Sequence, residues 1–356
     1  MYINYKTLES KIVKFAIVGC GRISANHSAA INEHAAKAKL VAICDIDSNK
    51  LDKTINGVNN NDLKLYTNLN DMLKAGGFDI VVLCTPSGLH ASQAELVASY
   101  GYHVLTEKPM ATKFDDAVSM VKKCDYYGVR LFVVKQNRQN ETIKALKNAI
   151  TTGRFGRIYN VACNVFWTRP QEYYDAAPWR GTWEFDGGAF MNQASHYVDL
   201  LEWLVGNIES VQSYTSTLAR DIEAEDSGVV AIKWRNGALG TMNVSMLTYP
   251  KNYEGSITII GELGTAKISG IALNKIEHWE FATMLDSDHD IMQSNYDTKS
   301  VYGYGHSLYY NNVINTLLGT EEANVDGRSG LKSIELLTAI YTSARDGSKV
   351  SLPLRY

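Results

Sequence analysis

Apolar positions recur with two different periods along this chain. In the first part, short continuous apolar runs alternate with stretches of helical spacing: Val13 to Val18, then Ile23 to His34, then Leu40 to Cys44. The alternation continues through the runs LKLYTN, FDIVVLCTP, YHVLTEKP and VRLFVVKQN, separated by the helix-like stretches LNDMLKAGG, GLHASQAELVASYG and KFDDAVSMVKKCDYYG. Such repetition predicts an α/β fold, a parallel sheet with right-handed crossovers. Beyond NETIKALKNAITTGRFG the character changes. RIYNVACNVFW, IESVQSYTSTLA, SGVVAIKWRNGALGTMNVSML and SITIIGELGTAKISG are β-rich, with Asn236-Gly237 and the Gly261 to Gly264 turn as hairpin loops. This half predicts an α+β domain, an open-faced antiparallel sheet with the preceding helix beside it. An uncovered apolar sheet face needs burial, most simply against another subunit, so a homo-oligomer is expected. The polar stretch 283–300 reads as a loop. Two helices, one starting near His306 and one after Asp326, close the chain.

The expected division is a dinucleotide-binding domain over 1–137 and an α+β substrate-binding and oligomerisation domain over 138–356. The length of 356 residues suits two domains with a core each. A net charge of -3 argues against a nucleic-acid or anionic-membrane surface, though local basic clusters remain able to receive a small anion. Cys20, Cys44, Cys84, Cys124 and Cys163 are scattered and form no CxxC pair, so they read as small core residues in a reducing compartment. No metal-ligand spacing appears among Cys and His, and no metal is expected. The opening segment MYINYKTLESK lacks the apolar run of a signal peptide, and a cytoplasmic location is the default expectation.

The first strand ends in Gly19-Cys20-Gly21, and the second ends in Asp45. Gly19 permits a tight turn, and Gly21 lets the backbone approach a pyrophosphate. The helix that follows, entered through Arg22 and Ile23, offers free N–H groups and a positive dipole end to that anion. The motif is GxGxxS, with Ser24 at the third glycine position. Asp45 would accept hydrogen bonds from the adenine ribose and repel a 2′-phosphate, so NAD is the expected cofactor. Ligands of such sheets bind at the carboxyl ends of the strands, where Thr85-Pro86, Glu107-Lys108-Pro109 and Gln136-Asn137 lie. Thr85, Pro86, His90, Glu107, Lys108 and Asn137 are therefore cofactor candidates. A cis bond at Pro109 would re-aim Lys108.

A second constellation stands in DGGAFMNQASHYVDLLEWLVG, where Asn192 and His196 at i and i+4 share the face of a helix that also buries leucines. His196 reads either as a satisfied core histidine or as an acid or base aimed at substrate. Upstream, Arg169 and Arg180 flank Trp167, Tyr173, Tyr174 and Trp179. Guanidinium groups suit bidentate anion contacts, and aromatic rings suit a uracil or a nicotinamide. Arg138, after KQN, is a third such cation, and Tyr310 and His306 open a later helix. Each arginine taken alone is as well explained by a surface ion pair, and a tyrosine stripe by ordinary packing.

The glycine turn, TEKPMA and GGAFMNQASHYVDLLEWL resemble the glucose–fructose oxidoreductase, inositol dehydrogenase and rhizopine catabolism (Gfo/Idh/MocA) family over essentially the whole chain. The resemblance implies a Rossmann domain followed by an open-faced sheet domain, and nicotinamide-dependent redox chemistry at a sugar or polyol carbon. The family's lysine matches Lys108 and its catalytic histidine matches His196. Where many members carry aspartate four residues before that histidine, this chain has Asn192, which cannot take a proton. Longer stretches, CNVFWTRPQEYYDAAPWRGTWEFDGGAFMNQASHYVDLL and GHSLYYNNVI, are similar to the subgroup of UDP-N-acetyl-2-amino-2-deoxyglucuronate 3-dehydrogenases of bacterial surface-polysaccharide assembly. That implies a UDP-sugar acid substrate, a keto-acid acceptor in members that recycle cofactor in place, and a tetramer.

Alcohol oxidation needs a basic group within hydrogen-bond reach of the hydroxyl. Lys108 would hold the hydroxyl and stabilise the alkoxide, with His196 as the better proton acceptor; which is the formal base stays open, because a desolvated lysine also loses its proton. Arg138, Arg169, Arg180, Asn192 and Tyr310 complete the expected substrate contacts. Two other functions remain at this point: a keto-sugar reductase or polyol dehydrogenase of the same family, and a redox-inactive protein that binds NAD.

Overall fold

The computed structural model describes residues 5–55, 62–298 and 305–354. They fall into two compact units, Met1–Lys135 with His306–Ile334, and Gln136–Gly305 with Glu335–Tyr356. The first is built on β1 (Val13–Val18), β2 (Ala38–Cys44), β3 (Lys64–Tyr66), β4 (Ile80–Leu83), β5 (His103–Thr106) and β6 (Leu131–Val133), in the order β3-β2-β1-β4-β5-β6. All five pairings are parallel. β1 and β4 are buried along nearly their whole length, as strands covered on both faces must be, and this explains their unbroken apolar runs. The strand order reverses between β1 and β4, so ligands are taken at the carboxyl ends of these two strands.

The unit differs from the expected linear division at residue 137, because 306–334 return to it. The helix Gly305–Leu317 docks through Tyr309, whose hydroxyl donates to Val133 O at 2.8 Å, and through Tyr310, whose ring lies 5.5 Å from that of Phe15. At Gly330 a Cβ would come 2.6 Å from Val133 Cγ2, so the next helix reaches the sheet only through glycine there.

The second unit holds β7 (Ile158–Phe166), β8 (Ile208–Ser216), β9 (Ser227–Trp234), β10 (Leu239–Ser245), β11 (Glu254–Gly261), β12 (Gly264–Ser269), β13 (Lys275–Phe281) and β14 (Val350–Ser351), in the order β13-β12-β11-β7-β10-β9-β8-β14. The expected open-faced antiparallel sheet includes one parallel pairing, β10 with β7, and so is mixed. Parallel neighbours need a long crossover, and the chain from Phe166 to Leu239 supplies one containing the helix Ser195–Val205 and the β8–β9 hairpin. Along β9, Val230, Ile232 and Trp234 are buried while Val229, Ala231 and Lys233 are exposed, the alternation of a sheet covered on one face. Tyr214, Val229, Leu239 and Ile260 are large apolar residues exposed on β8, β9, β10 and β11.

Two further expectations change. Within 283–300, Ser287–Gln293 is helical, and residues 299–300 lie outside the described ones. Asp288 anchors the turn, accepting from Arg154 Nη1 and Nη2 at 2.7 Å and from Trp279 Nε1 at 2.8 Å. The stretch carrying Asn192 is not one α-helix. Ala189–Gln193 is a π-helical turn and the α-helix starts at Ser195.

Candidate active site

In the first unit the glycine turn has the geometry its residues require. Gly19 has φ +90°, and a Cβ there would lie 2.7 Å from the backbone of Cys84 at the end of β4. At Gly21 a Cβ would meet nothing within 4 Å, so the backbone there faces open space. The helix Ser24–Glu33 begins with no side-chain cap and no acidic residue in its first turn, leaving the positive end of its dipole to an outside anion. Arg22 is exposed and Ile23 half-buried beside this opening. Asp45 is buried: Oδ2 accepts from Cys20 N at 2.7 Å and Oδ1 from Asp47 N at 2.9 Å, so the carboxylate also ties down the turn. Each oxygen retains a further acceptor site for a ribose hydroxyl. An open glycine backbone, an uncapped helix end and a fixed carboxylate fit a dinucleotide.

At the end of β5, Glu107 is the centre of a buried network. Its Oε2 accepts from Lys108 N at 3.0 Å and its Oε1 lies 3.0 Å from His27 Nε2. His27 Nδ1 lies 2.7 Å from Tyr310 Oη, and His306 Nε2 stands 3.9 Å from Glu107 Oε1. Burial pushes the Glu107 carboxyl up, but the hydrogen bonds of His27 and His306 outweigh it and hold the group well below the ordinary carboxylate range. Burial lowers His27 against the pull of Glu107, and burial raises Tyr310. One proton assignment satisfies the chain: Tyr310 donates to Nδ1, and neutral His27 donates from Nε2 to an ionised Glu107. Tyr310 is fully buried with its hydroxyl committed to His27, which differs from the expected sugar contact. The Lys108–Pro109 bond is cis, and Lys108 is half-buried.

His90, expected at the cofactor, is a brace instead. It is 1% exposed, with Nδ1 2.9 Å from Pro109 O and Nε2 2.9 Å from Thr85 O, so it links the ends of β4 and β5 from beneath. Burial lowers its pKa against these two carbonyls. Thr85 and Pro86 are half-buried, and Thr85 Oγ1 donates to Gln93 Oε1 at 2.6 Å.

In the second unit His196 is buried and its Nε2 lies 3.0 Å from Gln136 Nε2. Asn192 sits in the π-turn and its amide donates to Asp186 Oδ1, while Asp186 Oδ2 accepts from Gly181 N at 2.7 Å. π-turns inside helices often mark functional positions. Below this turn Glu225 Oε1 accepts from Phe190 N at 2.9 Å and Tyr341 Oη at 2.8 Å. Burial pushes the Glu225 carboxyl up to about 7, against those two hydrogen bonds and with help from the charge of Asp226. A Cβ on Gly188 would fall 1.7 Å from Glu225 Oε2, so only glycine admits the carboxyl.

The arginines separate. Arg138, expected to bind substrate, is buried in a bidentate pair with Asp199, Nε to Oδ2 2.8 Å and Nη2 to Oδ1 2.6 Å, and its charge is cancelled there. Arg169 lies over the rings of Trp167 and Tyr173, its Nε donating to Gln193 Oε1 at 2.8 Å. Arg180 lies 4.4 Å over Tyr173 and 5.6 Å over Trp179, beside a cavity of about 440 Å³ that Tyr174, Asp221 and Glu223 also line. Asn137 is buried, and its Oδ1 has no partner among the described residues. Sequence reasoning placed Gln136 at a strand end without a role and missed His27, Asp186 and Glu225. The acid before Gly187-Gly188 was the one local signal among them.

Two family models cover most of the chain: the oxidoreductase family's NAD-binding Rossmann fold over residues 13–135 and its C-terminal alpha/beta domain over 147–352. Among solved structures, the chain is similar to the WlbA dehydrogenase from Bordetella pertussis in complex with NADH and UDP-GlcNAcA. The identity is 59%, covering 98% of this chain and 100% of that one, with a TM-score of 0.94. It is similar also to the WlbA dehydrogenase from Chromobacterium violaceum in complex with the same two molecules, at 55% identity over all of both chains and a TM-score of 0.94. A curated relative, D-apiose dehydrogenase of Paraburkholderia graminis, is 25% identical over 98% of this chain and 92% of that protein.

Proposed function

The chain belongs to the Gfo/Idh/MocA oxidoreductase family, and on that premise we propose that it is an NAD-dependent dehydrogenase oxidising the 3-hydroxyl of UDP-N-acetyl-2-amino-2-deoxy-D-glucuronate to the ketone. The observation that carries this reading is the 59% identity to an enzyme solved with NADH and that sugar acid. Gly19, Gly21 and the helix N-terminus would cradle the pyrophosphate, and Asp45 the adenine ribose. Bound NAD+ supplies the hydride acceptor. Lys108 holds the sugar hydroxyl and offsets charge developing on its oxygen, His196 accepts the proton, and Asn192, fixed by Asp186, orients a neighbouring group. Arg169 and Arg180 are the arginines assigned to the diphosphate and carboxylate. Arg138 is withdrawn from that set.

The same reading extends to a 2-keto acid as the partner that reoxidises NADH in place, to lipopolysaccharide O-antigen assembly as the destination, and to the cytoplasm as the location. The free cysteines support the last of these. The exposed Tyr214, Val229, Leu239 and Ile260 of the open sheet face support a homo-tetramer or dimer, which light scattering would measure.

The test is spectrophotometric. The protein is incubated with NAD+ and a panel of UDP-sugars, UDP-sugar acids and free polyols, with and without a keto acid, and NADH absorbance is followed. Turnover of the aminouronate is expected. Turnover of a free polyol alone would replace this reading with the polyol dehydrogenase one.

A further inference from the structure

The short 3-10 turn Gln136–Gln139 is docked on the helix Ser195–Val205 by two side-chain contacts. One is the bidentate Arg138–Asp199 pair; the other, two residues earlier, places Gln136 Nε2 3.0 Å from His196 Nε2. The backbone of Gln136 is confined from a third side, since a Cβ on Gly305 would lie 2.2 Å from Gln136 O. Gln136 is 1% exposed, and its Oε1 is buried with no hydrogen-bond partner among the described residues. An amide held this firmly has one end on the imidazole and the other end unused.

The two ends of the amide demand different rings. With its nitrogen inward, Gln136 donates, so His196 Nε2 must offer a lone pair and the neutral ring carries its proton on Nδ1. With its oxygen inward, Gln136 accepts, so Nε2 carries a proton and the ring is either the other neutral tautomer or the imidazolium. A buried amide end without a partner is costly in either orientation, so burial alone does not fix which end faces the ring.

We propose that Gln136 is a positioning residue for His196, an amide whose two ends select the tautomer of the imidazole and hold it in both protonation states. In the oxygen-inward state Nδ1 takes the proton of the alcohol as its O–H bond breaks. The ring gains one positive charge, and Nε2–H remains bonded to Gln136 Oε1. The inference rests on the reading of His196 as the proton acceptor. Charged groups on the elements around the ring have partners of their own. Arg138 and Asp199 cancel each other, Lys147 Nζ sits 2.6 Å from Trp203 O, Asp186 holds Gly181 N and Asn192, and Glu225 holds Phe190 N and Tyr341. The same helix also carries the buried Tyr197 hydroxyl and the half-buried Glu202 carboxylate.

Histidine-selective NMR titration, with His196 assigned from the His196→Asn variant, is run beside kcat/KM pH profiles on the full chain. Gln136→Glu puts a carboxylate against the ring, and the pKa of His196 and the acid limb of the profile should rise together by about one to three units. Gln136→Met keeps the volume without polar ends; kcat should fall on the order of tenfold with KM for NAD+ unchanged and the His196 tautomer no longer single. His196 titrating in Gln136→Glu as it does in the unsubstituted chain, or Gln136→Met matching the unsubstituted kcat and profile, overturns the proposal. Full turnover by His196→Asn overturns both the functional reading and this inference, whereas an inactive His196→Asn with an unshifted Gln136→Glu overturns the inference alone.

Discussion

The turn that carries Lys108 and the helix that carries His196 are held in opposite ways. Around Lys108 the support is ionic: Glu107, ionised, gathers His27, His306 and the Lys108 backbone N–H, with Tyr310 behind His27. At His196 the imidazole meets a neutral amide, Gln136, and the charge pair on its helix, Arg138–Asp199, cancels itself, while Asn192, one turn away, is held by the Asp186 carboxylate. The difference suits the chemistry assigned to each. A cation is stabilised by a fixed anion in its supporting structure, whereas a proton acceptor must stay free to change charge, and a fixed ion beside it would bias that equilibrium.

Removing the cation tests the first half of the contrast. Lys108→Ala should lower kcat by about a thousandfold, roughly 4 kcal/mol of transition-state stabilisation, with NAD+ affinity by calorimetry little changed. Turnover at the original rate would remove Lys108 from the chemistry and with it the asymmetry.

Beneath the second half lies the buried Glu225 carboxyl, and its pH dependence sharpens the comparison. Glu225 titrates near 4.5 when unfolded and at about 7 in the fold. A raised carboxyl pKa means that its contribution to stability is complete below 4.5 and is lost as pH rises to about 7. The loss is about 3 kcal/mol at roughly 1.4 kcal/mol per unit. Glu225→Gln should therefore flatten the stability profile over that window and be the more stable chain above pH 7, as urea unfolding at several pH values would read. Parallel profiles for both chains would mean that Glu225 is ionised throughout.

Smaller effects are expected on the ionic side. Asp45→Ala should weaken NAD+ binding on the order of tenfold and relax discrimination against NADP+, because it removes both the ribose acceptor and the tie on Cys20 N. An unchanged preference for NAD+ would assign Asp45 to the turn alone. Tyr310→Phe removes only the hydroxyl donated to His27 and should cost about 1 kcal/mol in thermal or urea unfolding. If it lowered kcat far more than stability, the network would extend into the catalytic step.

Much of the first unit was legible because its signals are local. Continuous apolar runs, glycines at a strand end and an acid at the next strand end are readable within a few residues, and Gly19, Gly21 and Asp45 occupy the places those signals assign. His90 and Tyr310 misled for the opposite reason. A histidine and a tyrosine near a strand end or helix start carry no mark of whether they face a ligand or brace a backbone, and here they hold Thr85 O, Pro109 O and His27. The antiparallel sheet was expected from hairpin spacing, which cannot reveal that β7 and β10, far apart in sequence, pair in parallel. The π-turn at Ala189–Gln193 was hidden because its helical spacing matches that of an α-helix over so few residues.

The order of residues alone marked the segment proposed to hold a dinucleotide, since φ at a glycine, an uncapped helix end and a carboxylate at a strand terminus are properties of short segments. Only the tertiary structure decided which charges are available. Arg138 is cancelled by Asp199, 61 residues away, Glu107 gathers His27 and His306 from distant segments, and Glu225 is kept near neutrality by burial. The reason is physical: an ionisable group takes its character from what lies within a few ångströms and from how much water is excluded, and folding sets both.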